Sequence, residues 1–349
     1  MCNVAVTGLH AGDTPTAGIP IVRSLKEHTD WKGRIVGLTY DSFDPGILNN
    51  QFLDAGYLLS YPRSGKKAFL ERIKYIHEKE MLHAIIPNAD AELPSFIMIQ
   101  EELSKIGIKV FLPTEEQLKR RSKINLSRLS SELKLKPLKT KIISDLNFIN
   151  LKGLIFPLLV KGDLYEAYIA YSYGEMLHWA GRIIKKWGYP VLLQEYIEGE
   201  EYNAAALGDG TGKTLSVVCM KKLIVTEKGK GWAGISIKHP ELMELVTNIV
   251  RTLNWRGALE VEVIYSKKHN QFYLIDLNPR FPAWIYLATA SGINLPFMYL
   301  QLVLGNTVRE NFNYKPGVVF TNYVTSVITD FSVIDTLLSN GEIRHEKSI

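Results

Sequence analysis

The chain is poor in cysteine, with only Cys2 and Cys219 among its 349 residues. Two thiols so far apart in sequence form neither a disulfide framework nor a zinc-ligand cluster. The N-terminus lacks a charged region followed by a long apolar core, so we expect no signal peptide. No uninterrupted apolar stretch approaches the roughly 20 residues needed to span a bilayer. These features predict a protein of the reducing cytoplasm that has no membrane partner.

The chain also lacks a strong charge of one sign. Its 41 Lys and Arg exceed its 36 Asp and Glu by only +5, and no long basic run accompanies the excess. We interpret this balance as a mild preference for anionic ligands such as nucleotide phosphates, and we expect no nucleic-acid partner. The loop from Gly8 to Gly18 lacks the G-x-G-x-x-G spacing, which disfavours a nicotinamide-dependent enzyme. That loop is either an ordinary turn or a loop facing the substrate.

The first hundred or so residues alternate between short apolar strands and helical patterns. This βαβ rhythm predicts a parallel, doubly wound sheet and an α/β fold class. Residues 113–121 are polar and charged, which is typical of a domain boundary. From Val191 onward the chain is rich in strand patterns, interrupted by an amphipathic helix from Pro240 to Leu253. The length suggests two or three compact lobes.

Acidic residues lie on two of the late predicted strands. Glu260 and Glu262 lie two apart on one strand, and Asp276 and Asn278 lie two apart near the end of the next, so each pair shares a face. If residues 265–271 form a hairpin loop, Glu262 and Asp276 can meet. Magnesium takes oxygen ligands, few of them from protein where phosphates supply the rest. The cluster therefore indicates either a magnesium site or a solvated sheet face with scattered acids.

Two lysines and one hinge-like segment can each be interpreted as structural or as nucleotide-binding. Lys161 ends the apolar strand Phe156 to Lys161, where a lysine either extends to water or reaches a phosphate. Lys123 follows a basic run and is predicted to open a helix, which is typical of a solvated face. The segment from Gln194 to Tyr202 runs from a strand into an acidic turn. Periodicity does not separate a solubilising strand exit from a nucleotide-binding hinge.

These segments occur in an informative order. The chain resembles the ATP-grasp superfamily, most nearly its carbamoyl-phosphate-synthase and biotin-carboxylase-like branch, over about residues 122–305. The marks of this resemblance, in chain order, are Ser122-Lys123, Phe156 to Lys161, Gln194 to Tyr202, Glu260-Val261-Glu262, Ile275 to Arg280 and Ala290 to Pro296. The Asp-x-Asn-Pro-Arg element that ends at Arg280 is the sharpest of them. The resemblance implies a Rossmann-like domain followed by a two-lobed ATP-grasp fold.

The implied domain bounds are a Rossmann-like pre-ATP-grasp domain at 1–112, a linker at 113–121, a small lobe at 122–193, a large lobe at 194–330 and a C-terminal tail at 331–349. The implied ATP-binding residues are Lys123 and Lys161 at the phosphates, Glu195, Tyr196 and Ile197 at the adenine, and Glu201 at the ribose. Lys221 or Lys222 is a further candidate phosphate contact. The implied ligands of Mg²⁺ (or Mn²⁺) are Glu262, Asp276 and Asn278. Arg280 and Lys161 are the implied catalytic residues, with Arg280 facing the transferred phosphate.

The resemblance implies a ligase that activates a carboxylate with ATP and joins it to an amine, releasing ADP and phosphate. A kinase-like phosphotransferase and a non-catalytic ATP-binding module are the alternatives. Two departures bear on this choice: the segment from Gly162 to Tyr168 has one glycine where the branch has a glycine-rich flap, and Asp276 replaces the usual Glu. Candidate substrate contacts are the loops 10–16, 88–92 and 281–286. The expected partners are small-molecule carboxylate and amine substrates, and a second copy of the chain in a homodimer.

Overall fold

A computed structural model describes residues 2–10, 16–49, 51–163, 166–226 and 229–345. Within them the chain forms three sheets of five, six and four strands. The parallel core of the first sheet and the antiparallel pairing of the other two confirm the predicted α/β class, with a Rossmann-like sheet followed by two further lobes.

The first sheet has the strand order β15-β3-β2-β1-β4. Its parallel strands are β1 (Val4–Val6), β2 (Ile35–Thr39), β3 (Ala55–Leu58) and β4 (Ala84–Ile86). The helices that follow these strands are α1 (Gly18–Lys26), α2 (Lys66–Glu80) and α3 (Leu93–Lys105). Helix α2 ends at Met81, which adopts the left-handed conformation that closes many helices. One face of each helix is buried against the sheet, as the amphipathic pattern predicts.

The predicted linker at 113–121 is mostly helical. It holds α4 (Glu115–Arg121), which is followed by α5 (Leu126–Glu132). Thr114 and Gln117 form a reciprocal capping box that starts α4, because each side chain bonds the backbone N–H of the other. Lys123 lies in the turn between the two helices, so the prediction that it opens a helix is wrong.

The four-stranded antiparallel sheet forms the small lobe and has the order β5-β8-β6-β7. Its strands are β5 (Thr140–Ile143), β6 (Leu158–Gly162), β7 (Ala167–Ala170) and β8 (Val191–Glu195), and α6 (Tyr173–Trp187) packs on one face. Leu158 and Val160 point into that core, so Leu159 and Lys161 lie on the opposite face.

The six-stranded antiparallel sheet has the order β13-β12-β9-β10-β11-β14. Its strands are β9 (Glu200–Asp209), β10 (Thr214–Val225), β11 (Gly231–Ile237), β12 (Arg256–Ser266), β13 (Gln271–Asn278) and β14 (Val319–Thr321). Helix α7 (Pro240–Leu253) covers one face and buries Leu242, Val246 and Ile249 against it. Apolar residues of the other face pack with α8 (Tyr286–Ala290) and α9 (Leu295–Leu304).

The end of the described chain returns to the first sheet. Helix α10 (Phe331–Asn340) leads into β15 (Glu342–Arg344), which pairs antiparallel with β3. Leu58 N donates to Gly341 O at 2.8 Å, and Tyr75 Oη donates to Glu342 Oε2 at 3.0 Å. The region predicted as a C-terminal tail therefore supplies an edge strand of the N-terminal sheet.

Candidate active site

The hairpin of β12 and β13 brings the acidic residues together. Glu262 stands opposite Asp276, and Glu260 stands opposite Asn278, so all four side chains leave the same face of the sheet. The alternating residues Val261 and Val263 of β12 point to the other face and pack in the core under α7. The hairpin predicted from the loop at 265–271 is confirmed by this register.

Lys222 joins this cluster from β10. Its Nζ donates to Glu201 Oε2 at 2.6 Å and to Glu262 Oε2 at 3.1 Å. The side chain of Lys222 is only 6% exposed, and the two carboxylates raise its pKa despite burial. Burial alone would raise the pKa of Glu262, but Lys222, Lys230 and Arg280 lower it to about 2. Glu262 is therefore ionised at neutral pH.

Lys161 approaches the same carboxylates from the small lobe. It is 9% exposed at the end of β6, so the interpretation that it extends to water does not hold. Burial and, after it, the charge of Lys123 lower the pKa of Lys161 to about 8, although Asp276, Glu262 and Glu201 oppose this effect. Lys123 Nζ lies 3.6 Å from Asp276 Oδ2. Both predicted phosphate-binding lysines thus lie beside the predicted metal ligands.

Arg280 lies just beyond β13 and contacts the N-terminal domain. Its Nε donates to Asp90 Oδ1 at 3.0 Å, and its Nη1 donates to Glu260 Oε2 and to Phe281 O, each at 3.0 Å. Asn88 holds the same loop, because its Oδ1 accepts from Phe281 N at 3.1 Å. The carboxylates of Asp90 and Glu260 raise the pKa of Arg280 against the effect of burial, so the guanidinium stays charged.

The hinge after β8 differs in detail from the sequence expectation. Glu195 Oε1 accepts from Lys139 N at 2.8 Å, which gives that oxygen a structural partner in place of an exocyclic amine. Tyr196 is 40% exposed, Ile197 is partly buried, and Glu201 is bound to Lys222. Only Glu201 is thus shown to be bound to the carboxylate cluster through Lys222, and the contacts of all four side chains with a nucleotide stay predictions.

Gln194 is a candidate that the sequence reasoning did not select. It lies on the face of the small-lobe sheet that carries Lys161, because Lys161 stands opposite Leu192 and Gln194 is two residues further along β8. Its Nε2 donates to Thr140 Oγ1 at 3.0 Å, whereas its buried Oε1 has no hydrogen-bond partner among the described residues. An unsatisfied buried acceptor needs an explanation, and a ligand donor is one. The signal in the sequence was an amide that follows the apolar run Val191 to Leu193.

The candidate substrate loops have structural partners that limit their roles. Glu92 is fully buried and accepts from Thr7, Tyr40, Asn88 N and Ala89 N, so it stabilises the turn after β4 and does not face an amine. The indole of Trp284 donates to Glu260, and Tyr286 Oη donates to Glu27. His10 contacts Asp44 at 3.0 Å. Residues 11–15 of the predicted loop lie outside the described residues.

The cluster meets the requirements of a magnesium site that shares its ion with a triphosphate. Two ionisable carboxylates and one amide stand on one sheet face, and Lys123, Lys161 and Lys222 lie near them. The described residues hold no group of three or more His, Cys, Asp or Glu that could bind a metal ion alone. Such a site therefore depends on oxygen atoms from a nucleotide, as expected for Mg²⁺ held by one or two carboxylates.

Comparisons with known proteins concern the sequence and the fold of the chain. Residues 189–326 match the family described as "ATP-grasp in the biosynthetic pathway with Ter operon". The chain is 23% identical over 278 residues to the carbamoyl phosphate synthase large chain of Thermoanaerobacter sp. (strain X514); this covers 71% of the chain and 24% of that protein. The chain thus spans about a quarter of the length of this curated relative.

Solved structures show the same fold at low identity. The biotin carboxylase domain of Hydrogenobacter thermophilus 2-oxoglutarate carboxylase, a dimer in complex with MgADP, ADP and bicarbonate, has a TM-score of 0.68 at 16% identity, over 91% of this chain and 73% of that one. The L-amino acid ligase of Bacillus licheniformis has a TM-score of 0.66 at 15% identity, over 88% and 75%. Residues 189–326 are thus similar to an ATP-grasp family, and the fold of the chain is that of the biotin-carboxylase-like structures, as predicted. None of the helices in the described ranges is long and apolar enough to cross a membrane.

Proposed function

We propose that this protein is an ATP- and Mg²⁺-dependent ligase that activates a carboxylate as an acyl phosphate and joins it to an amine, releasing ADP and phosphate. One observation carries the proposal: Lys161 of the small lobe and the Glu262–Asp276 pair of the large lobe converge on one space. Arg280 borders that space through Glu260, which stands beside Glu262 on β12. Structures of similar fold include a carboxylase domain and an amino acid ligase, which supports this reaction class.

The chemistry requires charge neutralisation and alignment more than covalent participation by the protein. Carboxylates react poorly with amines because oxide is a poor leaving group, and phosphorylation supplies a better one. Bound Mg²⁺ would neutralise phosphate charge and align the transferred group. Lys123 and Lys161 would hold the phosphates, while Arg280 would stabilise negative charge on the transferred phosphoryl group. The unsatisfied Oε1 of Gln194 would accept from the amino group of adenine.

The proposal is tested by measuring ADP release with a panel of carboxylates and amines. We expect ADP formation to need both substrates, and the double variant Asp276→Ala and Asn278→Ala to remove it without unfolding the protein. Asp335→Ala is the control, because this exposed acid of α10 lies outside the cluster. Unchanged turnover in the double variant would refute the metal assignment. ADP formation that needs only one substrate would favour the phosphotransferase.

One observation favours a second candidate, a nucleotide-binding protein without turnover. Strands β6 and β7 stay paired as far as Lys161 and Ala167, and Gly162 N donates to Glu166 O at 3.1 Å. Glu166 is bound to Lys186 of α6 at 2.6 Å. The segment from Gly162 to Tyr168 has one glycine and so does not have the composition of a glycine-rich flap; its residues Leu164 and Tyr165 lie outside the described residues. Nucleotide binding without ADP formation under any substrate pair would support this candidate.

A further inference from the structure

Glu260 is a buried carboxylate whose oxygens accept four side-chain hydrogen bonds. Its Oε1 accepts from Asn203 Nδ2 at 2.7 Å and from Trp284 Nε1 at 3.0 Å. Its Oε2 accepts from Asn278 Nδ2 and Arg280 Nη1, each at 3.0 Å. The side chain is 6% exposed, so water does not replace these partners. Glu260 was recognised in the sequence only as a neighbour of Glu262, without a function of its own.

The first consequence concerns the amide of Asn278. Its Nδ2 donates to Glu260 Oε2 at 3.0 Å and to Glu262 Oε1 at 2.9 Å. The opposite orientation would turn the amide oxygen toward two carboxylates and lose both hydrogen bonds, so the carboxylates fix which way the amide points. The Oδ1 of Asn278 is thereby directed away from them, and an oxygen is what Mg²⁺ takes from an amide.

The second consequence concerns Arg280. Glu260 holds Nη1, and Asp90 of the N-terminal domain holds Nε at 3.0 Å. The bonds described for this guanidinium use Nε and Nη1, which leaves Nη2 for a ligand. Arg121 stabilises the arrangement, because its Nη1 donates to Leu277 O at 3.1 Å and lies 3.8 Å from Asp90 Oδ2. The guanidinium is therefore fixed from two domains.

We propose that Glu260 is a positioning residue that orients Asn278 toward the metal ion and Arg280 toward the transferred phosphoryl group, with Asp90 as the second anchor of Arg280. The inference rests on the proposed function, because Glu260 would act only through Asn278 and Arg280 and would not contact the substrate itself. Residues that hydrogen-bond to metal ligands without contacting the metal themselves change metal affinity by about 10- to 100-fold when they are removed. Glu260 extends this effect to the arginine, since one of its oxygens holds both residues.

The variant Glu260→Gln tests the inference with little change of shape. A carboxylate accepts all four donors, whereas the single oxygen of an amide accepts two, and the amide nitrogen opposes the rest. We expect Glu260→Gln to raise by about tenfold or more the Mg²⁺ concentration that half-saturates binding of a non-hydrolysable ATP analogue, measured by calorimetry. We also expect a lower kcat. Asp90→Asn should lower kcat and leave the Mg²⁺ requirement of nucleotide binding unchanged, because Asp90 contacts Arg280 and not Asn278.

Glu80→Gln is the matched control. Glu80 is an equally buried carboxylate of the N-terminal domain, and it accepts from Tyr57 Oη at 2.7 Å and Arg34 Nη2 at 3.0 Å. Its variant should lose thermal stability but keep the Mg²⁺ requirement. If Glu260→Gln loses only stability, as Glu80→Gln does, the inference is overturned and the proposed function stands. If the unaltered protein binds no nucleotide with Mg²⁺, the proposed function itself fails, and the inference with it.

Discussion

Lys161 should take up a proton when ATP binds at alkaline pH. Burial, followed by the repulsion of Lys123, lowers its pKa from an ordinary 10.5 to about 8 in the protein without nucleotide. Phosphates placed beside the ammonium group would favour its charged form and restore the pKa. The side chain of Lys161 is then largely neutral at pH 9 in the free protein and charged in the complex. Binding of ATP is therefore accompanied by uptake of a proton from the buffer.

The magnitude follows from the two pKa values. The interval between 10.5 and about 8 corresponds to about 3 kcal/mol, since one pKa unit is about 1.4 kcal/mol. If binding restores the pKa fully, about 0.9 proton is taken up at pH 9, and ATP affinity falls about 30-fold between pH 7 and pH 9.5. The stability of the free protein changes in the opposite direction: the unfolded chain binds the extra proton between pH 8 and 10.5, so this residue makes stability rise with pH across that window.

Calorimetry in buffers of different ionisation enthalpy measures the uptake directly. Nucleotide phosphates are already ionised in this range, because the second pKa of a phosphate is about 6. Lys161→Met should bind ATP more weakly and show no proton uptake at pH 9. Lys123→Met should show less uptake than the unaltered protein, because the repulsion that lowers the pKa of Lys161 is gone. Equal uptake in the unaltered protein and Lys161→Met would refute the assignment of Lys161 to the phosphates.

Two further variants test the pocket around these residues. Lys222→Met leaves the mostly buried Glu262 without the cation that is hydrogen-bonded to it, so we expect the free energy of unfolding to fall by about 3 kcal/mol at pH 7 in urea titrations. The deficit should shrink as the pH falls from 4.5 toward 2, where Glu262 takes up its proton; a deficit independent of pH would contradict this assignment. Gln194→Leu removes the unpaired acceptor together with the hydrogen bond to Thr140, and should lower affinity for ATP by about five- to tenfold while affecting GTP less. An equal loss of affinity for ATP and GTP would show that the side-chain amide of Gln194 does not contact the base.

The local patterns predicted the fold well where one face of an element is buried. Helix α7 begins at Pro240 and ends at Leu253, as the apolar spacing predicted, because its buried face alone sets the period. The β12–β13 hairpin was likewise visible as two apolar strands around a polar loop. Strands β3 and β11 were not recognised because each contains glycine, which weakens a strand pattern. The helical part of the linker was not recognised because α4 is short and rich in charge.

The site was predictable only along single strands. The two-residue spacing placed Glu262, Asp276 and Asn278 on shared faces, and the register confirms that arrangement. The contacts of Arg280 with Asp90 and Glu260 join residues as many as 190 positions apart, and no local pattern encodes such distances. The partner of Glu195 illustrates the same limit: its carboxylate caps the backbone of Lys139 across the sheet, which only the pairing of β5 with β8 reveals.

The edge strand β15 has a consequence for how the nascent chain matures. During translation β3 is synthesised long before Glu342 to Arg344. The edge of β3 that pairs with β15 therefore has no partner strand from β15 while both later lobes are synthesised. Arg72 donates to Leu58 O and Gly341 O, and the second of these acceptors is synthesised only after both later lobes. Many multidomain chains complete their N-terminal domain first, whereas here that domain acquires the edge strand β15 only after the two lobes that follow it in sequence.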